Sequence, residues 1–330
     1  MHSEELIERN TAMELVRVTE AAALSSARYM GRGDKNLVDK TAVSAMRHLL
    51  GQVQMDGIVV IGEGEKDQAP MLYIGERIGD GSSPKVDIAV DPVDGTTSVA
   101  RGLPGAISVI ALSERGSMHC PREFFYMDKI VTGPEAAGCI DIEAPVKDNL
   151  NKIAKAKGKK VADVTVVVLD RPRHEKLISD IRDAGARVKL ITDGDVAASI
   201  DVALPLRSID VLMGIGGTPE GVLSAAAMRC IGGCIQAKPW PRDEAERKAA
   251  QAAGADVNRV YRTEDFITSD DVFFAATGVS TGELLRGVHY FSGGASTQSL
   301  AMRGLSGTVR WIESSHNFNR LNKLDGISTD

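Results

Sequence analysis

The segment Asp91-Pro92-Val93-Asp94-Gly95-Thr96-Thr97 sets two carboxylates, a glycine and two hydroxyls within seven residues, directly after the apolar run 86–90. Proline holds the chain extended after a strand, which lets Asp91 and Asp94 face one point. Gly95 permits close backbone approach, and the amides of Gly95, Thr96 and Thr97 form an anion cradle where a helix begins. Carboxylates repel one another and are tolerated together when a cation neutralises them. The chemistry this predicts is a hard divalent cation held beside a phosphate. An ordinary Asp-Gly turn uses the same residue types without any chemistry, but the whole string after an apolar strand is much rarer than the dipeptide.

Acidic residues recur after the other apolar runs: Glu63 and Glu65 after 58–61, Asp193 and Asp195 after 188–191, and Glu220 after 211–215. In open α/β sheets the carboxyl ends of the strands are where ligands bind. One such residue is ordinarily a solvated loop; four strand ends of the same kind are harder to dismiss. Competing motifs fail on spacing. Gly214-Ile215-Gly216 follows a strand, but Pro219 stands where a dinucleotide fingerprint needs its third glycine. No G-K-[ST] is present, Asp193-Gly194-Asp195 lacks the rest of a calcium loop, and Arg32-Gly33-Asp34 is incidental in an intracellular chain. His174, next to Arg173, is the one histidine expected near a substrate.

The elements that must position these residues follow from periodicity. Thr11-x-x-Glu14 reads as a capping box opening a helix that carries Leu15, Val18, Ala22 and Tyr29 and stops at Gly31. Asn36 reads as the cap of a second helix carrying Val38, Ala42, Ala45, Met46 and Leu49. Strands are predicted at 58–61, 86–90 and 106–110. The charged stretch 147–160 reads as a surface helix and a domain junction. Strands at 164–169, 188–191 and 211–215 then alternate with helices at 173–184, from 196, and at 219–231, the pattern of an α/β layer. Later strands are expected at 272–276, 298–302 and 309–312. The fold class is therefore α/β, with domains 1–150 and 151–330 and C-terminal strands that can return to the first domain.

Composition narrows the partners. With 43% hydrophobic residues the chain can bury a sizeable core. A net charge of −6 predicts no nucleic-acid partner, and bound cations reconcile that charge with an anionic substrate. The four cysteines form no C-x-x-C and read as reduced thiols. No apolar run approaches 18 residues and the first residues form no signal sequence, which predicts a cytoplasmic protein without a membrane partner.

Together the motifs resemble the class II fructose-1,6-bisphosphatase family, the bacterial GlpX type, within the lithium-sensitive metal-dependent phosphatases that include inositol monophosphatases. The resemblance runs from about residue 13 to about 316. It is carried by Gly31-Arg32-Gly33-Asp34-Lys35-Asn36, Val60-Ile61-Gly62-Glu63-Gly64-Glu65, Ala69-Pro70-Met71-Leu72-Tyr73 and Asp87-Ile88-Ala89-Val90-Asp91-Pro92. Arg171-Pro172-Arg173-His174, Asp193-Gly194-Asp195-Val196-Ala197-Ala198-Ser199 and Gly216-Gly217-Thr218-Pro219-Glu220-Gly221 complete it.

The resemblance implies a layered α-β-α-β-α sugar-phosphatase fold, with a metal- and phosphate-binding first domain and a sugar-binding second. It implies Asp39, Glu63, Asp91, Asp94 and Glu220 as ligands for two or more Mg²⁺ or Mn²⁺ ions; the fourth position varies in the family between Glu and Asp. It assigns catalytic roles to Thr96, Lys35 and Asp67, and substrate contacts to Asp94, Gly95, Thr96, Tyr126, Arg171, Arg173, Asp193, Gly194, Asp195 and Gly217. The implied reaction is hydrolysis of the 1-phosphate of fructose 1,6-bisphosphate in gluconeogenesis, by a homo-oligomer, dimer or tetramer. Activity on sedoheptulose 1,7-bisphosphate, an inositol or nucleotide phosphatase, and a non-catalytic sugar-phosphate sensor stand as alternatives.

Overall fold

Helical spacing of Leu15, Val18 and Ala22 gives α1 (Thr11–Ser26), and that of Val38, Ala42, Met46 and Leu49 gives α2 (Lys35–Leu50); all seven side chains are buried. The computed structural model describes residues 10–64, 71–205 and 207–324. Both expected caps move. α1 is entered from Asn10 without a side-chain cap, so Thr11 is already helical and buried, and Glu14 pairs with Arg17 instead of closing a box. α2 is capped by Asp34, whose extended backbone (φ −100°, ψ 92°) lets its carboxylate accept the Leu37 amide at 2.9 Å; Asn36 lies inside the helix.

The remaining elements are β1 (Asp56–Ile61), β2 (Arg77–Ile78), β3 (Lys85–Asp94), α3 (Thr96–Ala100), β4 (Ile107–Glu114), β5 (Tyr126–Thr132), α4 (Val146–Ala156), β6 (Thr165–Leu169) and α5 (Glu175–Asp183). Then come β7 (Arg187–Ile191), α6 (Asp195–Ala203), β8 (Val211–Gly217), α7 (Thr218–Ile231), β9 (Cys234–Pro239), α8 (Glu244–Ala252), β10 (Tyr261–Arg262) and α9 (Thr263–Phe266). The chain ends with β11 (Val272–Gly278), β12 (His289–Phe291), β13 (Gly294–Arg303), β14 (Thr308–Asn317) and α10 (Phe318–Leu324).

The chain divides into two compact units. The first holds the residues up to Met118 and those from Ser269 on. Its eight-stranded sheet runs β12-β13-β11-β4-β3-β1-β2, with β14 paired to β13. β1 and β3 are parallel, and β3, β4, β11 and β13 are antiparallel in turn. α1 and α2 pack on this sheet around Val86, Ile88, Val90, Ile110, Leu112, Phe273 and Ala275.

The second unit spans His119–Thr268 and carries a six-stranded sheet, β10-β9-β5-β8-β6-β7. The predicted βαβ alternation is its parallel part, β7-β6-β8. Ile130, Val166, Val168, Val211 and Met213 share a core with Leu150 and Ile153 of α4 and Ile178 and Ile181 of α5. Their strand neighbours, such as Val131 and Leu212, point to the opposite face, where α6 and α7 contact β5 and β8. The boundary placed at residue 150 falls inside α4. That helix is no junction, because Leu150 and Ile153 are fully buried in the second core and β5 is already paired with β8 and β9. Among the described residues no helix is long and apolar enough to cross a membrane.

Candidate functional site

Asp91 and Asp94 close β3. In an unbroken strand, residues three apart point to opposite faces. Here the β3–β4 register slips between them: Asp91 lies opposite Val109, and Asp94 opposite Ile107. Val109 and Ile107 are two apart on β4 and share a face, so one extra residue in β3 returns both carboxylates to the same side. Gly95 then caps α3 in the left-handed region, φ 101°, and a Cβ there would stand 3.2 Å from the Ala106 methyl. The left-handed backbone calls for glycine, and the Ala106 contact leaves little room for a side chain. Thr96 is the first helical residue, half-buried.

The same short helix docks the loop before α2. The Gly31 and Gly33 amides donate to the Val99 and Ala100 carbonyls, each at 2.9 Å. That loop delivers Lys35, exposed in the first turn of α2, and Asp39 one turn later. Burial pushes the Asp39 carboxyl above its ordinary range, and the Lys35 charge opposes this. Glu63 follows β1, its amide donating to Leu72 O at 3.0 Å. Burial and, secondly, the Asp39 charge push its carboxyl up to about 7. The charge of Asp39 thus reaches Glu63. Glu65 and Asp67 lie outside the described residues.

In the second unit the acidic residues gather around a lysine that sequence reasoning missed. Lys129, in β5, is 2% exposed; its Nζ lies 2.5 Å from Asp195 Oδ2 and donates to Gly217 O at 3.3 Å. Its signal was a lysine on the interior row Met127–Lys129–Val131, where alternation calls for an apolar side chain. Asp195 opens α6 behind the left-handed Gly194, with Asp193 in the loop before it. Close packing explains the glycines that end β8. A Cβ on Gly216 would meet Asp195 Oδ2 at 2.2 Å and Lys129 Nζ at 2.6 Å, and one on Gly217 would meet Glu220 Oε2 at 1.9 Å. Glu220 sits in the first turn of α7, and its Oε2 is buried without a hydrogen bond. Burial, then the charge of Asp195, pushes its carboxyl up; Lys129 pulls it down.

At the same sheet end Tyr126 lies opposite Gly217. The Arg173 guanidinium stands 4.9 Å from the Tyr126 ring centroid and donates to Ile215 O through Nη2 at 2.9 Å. Burial lowers the pKa of Arg173, and the charge of Arg171 acts in the same direction. Two mutually repelling guanidiniums are what a phosphate dianion relieves. His174 does not face substrate. It is 1% exposed, with Nδ1 2.7 Å from Leu169 O and Nε2 accepting the Ile215 amide at 2.7 Å. Both nitrogens are used to tie β6 to β8, and burial lowers the ring's pKa and keeps it neutral.

Oxygen donors suit hard divalent cations of the Mg²⁺ and Mn²⁺ class. Two features favour a cation: the Glu63 carboxyl, raised by burial and then by the Asp39 charge, and the buried Glu220 Oε2. Among the described residues no three His, Cys, Asp or Glu side chains stand close enough together to hold an ion as a group. The residues fit the donor type of a hard divalent cation.

Residues 9–316 match the family described as bacterial fructose-1,6-bisphosphatase, glpX-encoded. The chain belongs to this family. It is 44% identical to fructose-1,6-bisphosphatase class 2 of Haemophilus influenzae, over 97% of this chain and 99% of that one. It is equally identical to fructose-1,6-bisphosphatase 1 class 2 of Escherichia coli K12, over 94% of this chain and 96% of that one. Of solved structures, the extragenic suppressor protein suhB of Bartonella henselae aligns with 59% of this chain and 71% of its own at 13% identity and a TM-score of 0.33, a likeness that adds nothing to the assignment. The glpX-type bisphosphatases are metal-dependent phosphatases.

Two predictions follow from this geometry. Gly217→Ala forces aside only the end of the Glu220 side chain, whereas Gly62→Ala drives a Cβ to 1.9 Å from the Leu72 carbonyl, which is backbone. Gly217→Ala should therefore keep its melting temperature within a few degrees and lose metal-dependent turnover, while Gly62→Ala should lose stability. Thermal melts beside a phosphate-release assay separate the two. The second concerns pH. The folded Glu63 carboxyl holds its proton up to about 7 against an ordinary 4.5. Its contribution to metal-free stability is thus complete below about 4.5 and lost as pH rises through 7. Divalent cation affinity should climb over that same window. Melting of metal-free protein from pH 5 to 8 should show the decline, and Glu63→Gln should flatten it; an unchanged slope in that variant would assign the effect elsewhere.

Proposed function

We propose that this chain hydrolyses fructose 1,6-bisphosphate to fructose 6-phosphate and inorganic phosphate. The reading is carried by one observation: a match to the glpX-type bisphosphatases over nearly the whole chain, with a carboxylate at each expected ligand position. Relatives named for this one activity, at 44% identity over almost their full length, leave the inositol, nucleotide and sensor readings unsupported.

In this reading Asp39, Glu63, Asp91, Asp94 and Glu220 are the ligands of Mg²⁺ or Mn²⁺. What the ions supply is neutralisation of the phosphoryl charge and a more acidic attacking water. The chain's own groups do the rest. Thr96, at the head of α3, accepts a hydrogen bond from the water and aligns it with phosphorus; Asp67 is its acidic partner. As the bond between phosphorus and the sugar O1 breaks, Lys35 stabilises the charge left on oxygen. Arg171 and Arg173, with Tyr126 stacked beneath the second guanidinium, hold the phosphate that is not cleaved. Asp193, Gly194, Asp195 and Gly217 contact the sugar.

The direct test is phosphate release from fructose 1,6-bisphosphate and sedoheptulose 1,7-bisphosphate, with Mg²⁺ and with Mn²⁺, and after chelation. Release from the first substrate that stops on chelation is expected; no release with either ion would refute the reading. The role of Thr96 has its own test. A hydroxyl that only capped a helix would cost about 1 kcal/mol of stability on removal. One that orients the nucleophile lowers kcat by roughly two to four orders of magnitude with KM nearly constant. Thr96→Ser should keep much of the rate and Thr96→Val should lose it, whereas normal turnover in the valine variant with a lower melting temperature would make Thr96 a cap.

A further inference from the structure

α2 carries Arg47 eight residues after Asp39, ~12 Å along the helix axis. Its Nε lies 2.6 Å from Glu76 Oε1. The other oxygen, Glu76 Oε2, accepts the Leu72 amide at 2.5 Å, and Glu76 is 8% exposed. Leu72 O in turn accepts the Glu63 amide at 3.0 Å. A single buried carboxylate thus joins the helix that bears Asp39 to the backbone atom that fixes Glu63.

The joint holds a strained residue. Leu72 has φ 53°, the one non-glycine residue with positive φ among those described. A side-chain-bearing residue adopts that conformation only where its surroundings over-determine it. Here three groups do so: the carboxylate on its amide, the Glu63 amide on its carbonyl, and a fully buried side chain. Gly62 makes room, since a Cβ there would overlap Leu72 O. The segment is laced to β1 again by Gly75 N to Val59 O at 2.8 Å and Val59 N to Glu76 O at 3.0 Å. A buried ion pair serving stability alone needs neither the strained leucine nor the shared carbonyl.

We propose that Glu76, anchored by Arg47, is a positioning residue: it fixes Glu63 relative to Asp39 and so sets the affinity of the first unit for a divalent cation. The inference rests on the reading of Asp39 and Glu63 as ligands, and the test separates the two. Binding of Mn²⁺ alone to the full-length protein is measured by calorimetry for Arg47→Met, Glu76→Gln, Arg47→Lys and Asp39→Asn, with a thermal melt of each metal-free protein. Loss of a group that orients a ligand costs about 10- to 100-fold in metal affinity. That loss is expected in Arg47→Met and Glu76→Gln, with kcat recovering at high Mn²⁺ and KM for the bisphosphate nearly unchanged. Arg47→Lys restores a cation opposite Glu76 and should recover most of the affinity. If Glu76→Gln fails to fold, Arg47→Met, at a partly exposed side chain, decides. Parental Mn²⁺ affinity in Arg47→Met overturns the proposal while Asp39→Asn still loses Mn²⁺. Parental affinity in Asp39→Asn as well brings down the ligand assignment and the proposal with it.

Discussion

Carboxylates brought together without a cation repel, and burial adds to the cost by removing the water that screens them. Glu63 feels both effects, and so does Glu220. A chain that must keep such groups side by side cannot rely on the groups themselves to stay there. It needs elements stiff enough to resist their repulsion, and the local architecture of both units answers to that need. Position comes largely from the backbone. Glu63 is held through its own amide, Asp94 through its register with Ile107, and Glu220 through the first turn of α7. One oxygen of Asp91 also accepts the Val93 amide at 3.0 Å, closing a local turn.

The slip in β3 is the clearest consequence. Strand geometry alone would send Asp91 and Asp94 to opposite faces, and the extra residue between them reconciles the strand with the site. The glycines at the end of β8 answer the same pressure in another way. They let Asp195, Lys129 and Glu220 approach the backbone closer than any Cβ allows. The strands that lead to these ends keep apolar residues in the cores, Val86, Ile88 and Val90 in one unit and Val166 and Val168 in the other.

Much of this was legible in the residues. The Asp91–Thr97 string, the alternation of strands and helices after residue 164 and the core-facing rows of α1 and α2 all obey local rules that periodicity exposes. What was not legible depends on partners distant in sequence. Asp34 wins the cap of α2 over Asn36 because the loop before it is docked on α3. The domain boundary shifts because β5 pairs with β8 and β9, some eighty and more residues away. His174, beside Arg173, was expected near a substrate, yet its ring is spent on the carbonyl of Leu169 and the amide of Ile215. Lys129 stood in plain view as a charge in an apolar row, and only Asp195, 66 residues on, explains it.

Asp195 and Asp39 meet their counter-charges differently. In the second unit, Asp195 has a resident counter-charge: Lys129 is 2% exposed and lies in direct contact. A buried pair is little screened by salt. In the first, the cation whose charge reaches Asp39 is Lys35, which is exposed and so weakened by solvent and salt. Burial raises the carboxyls of both Asp39 and Glu63, and the Asp39 charge adds to the rise at Glu63. A site built to keep its acids satisfied would have buried a lysine there as well. On the ligand assignment proposed above, a divalent cation at Asp39 and Glu63 would supply the positive charge that the exposed Lys35 provides only weakly.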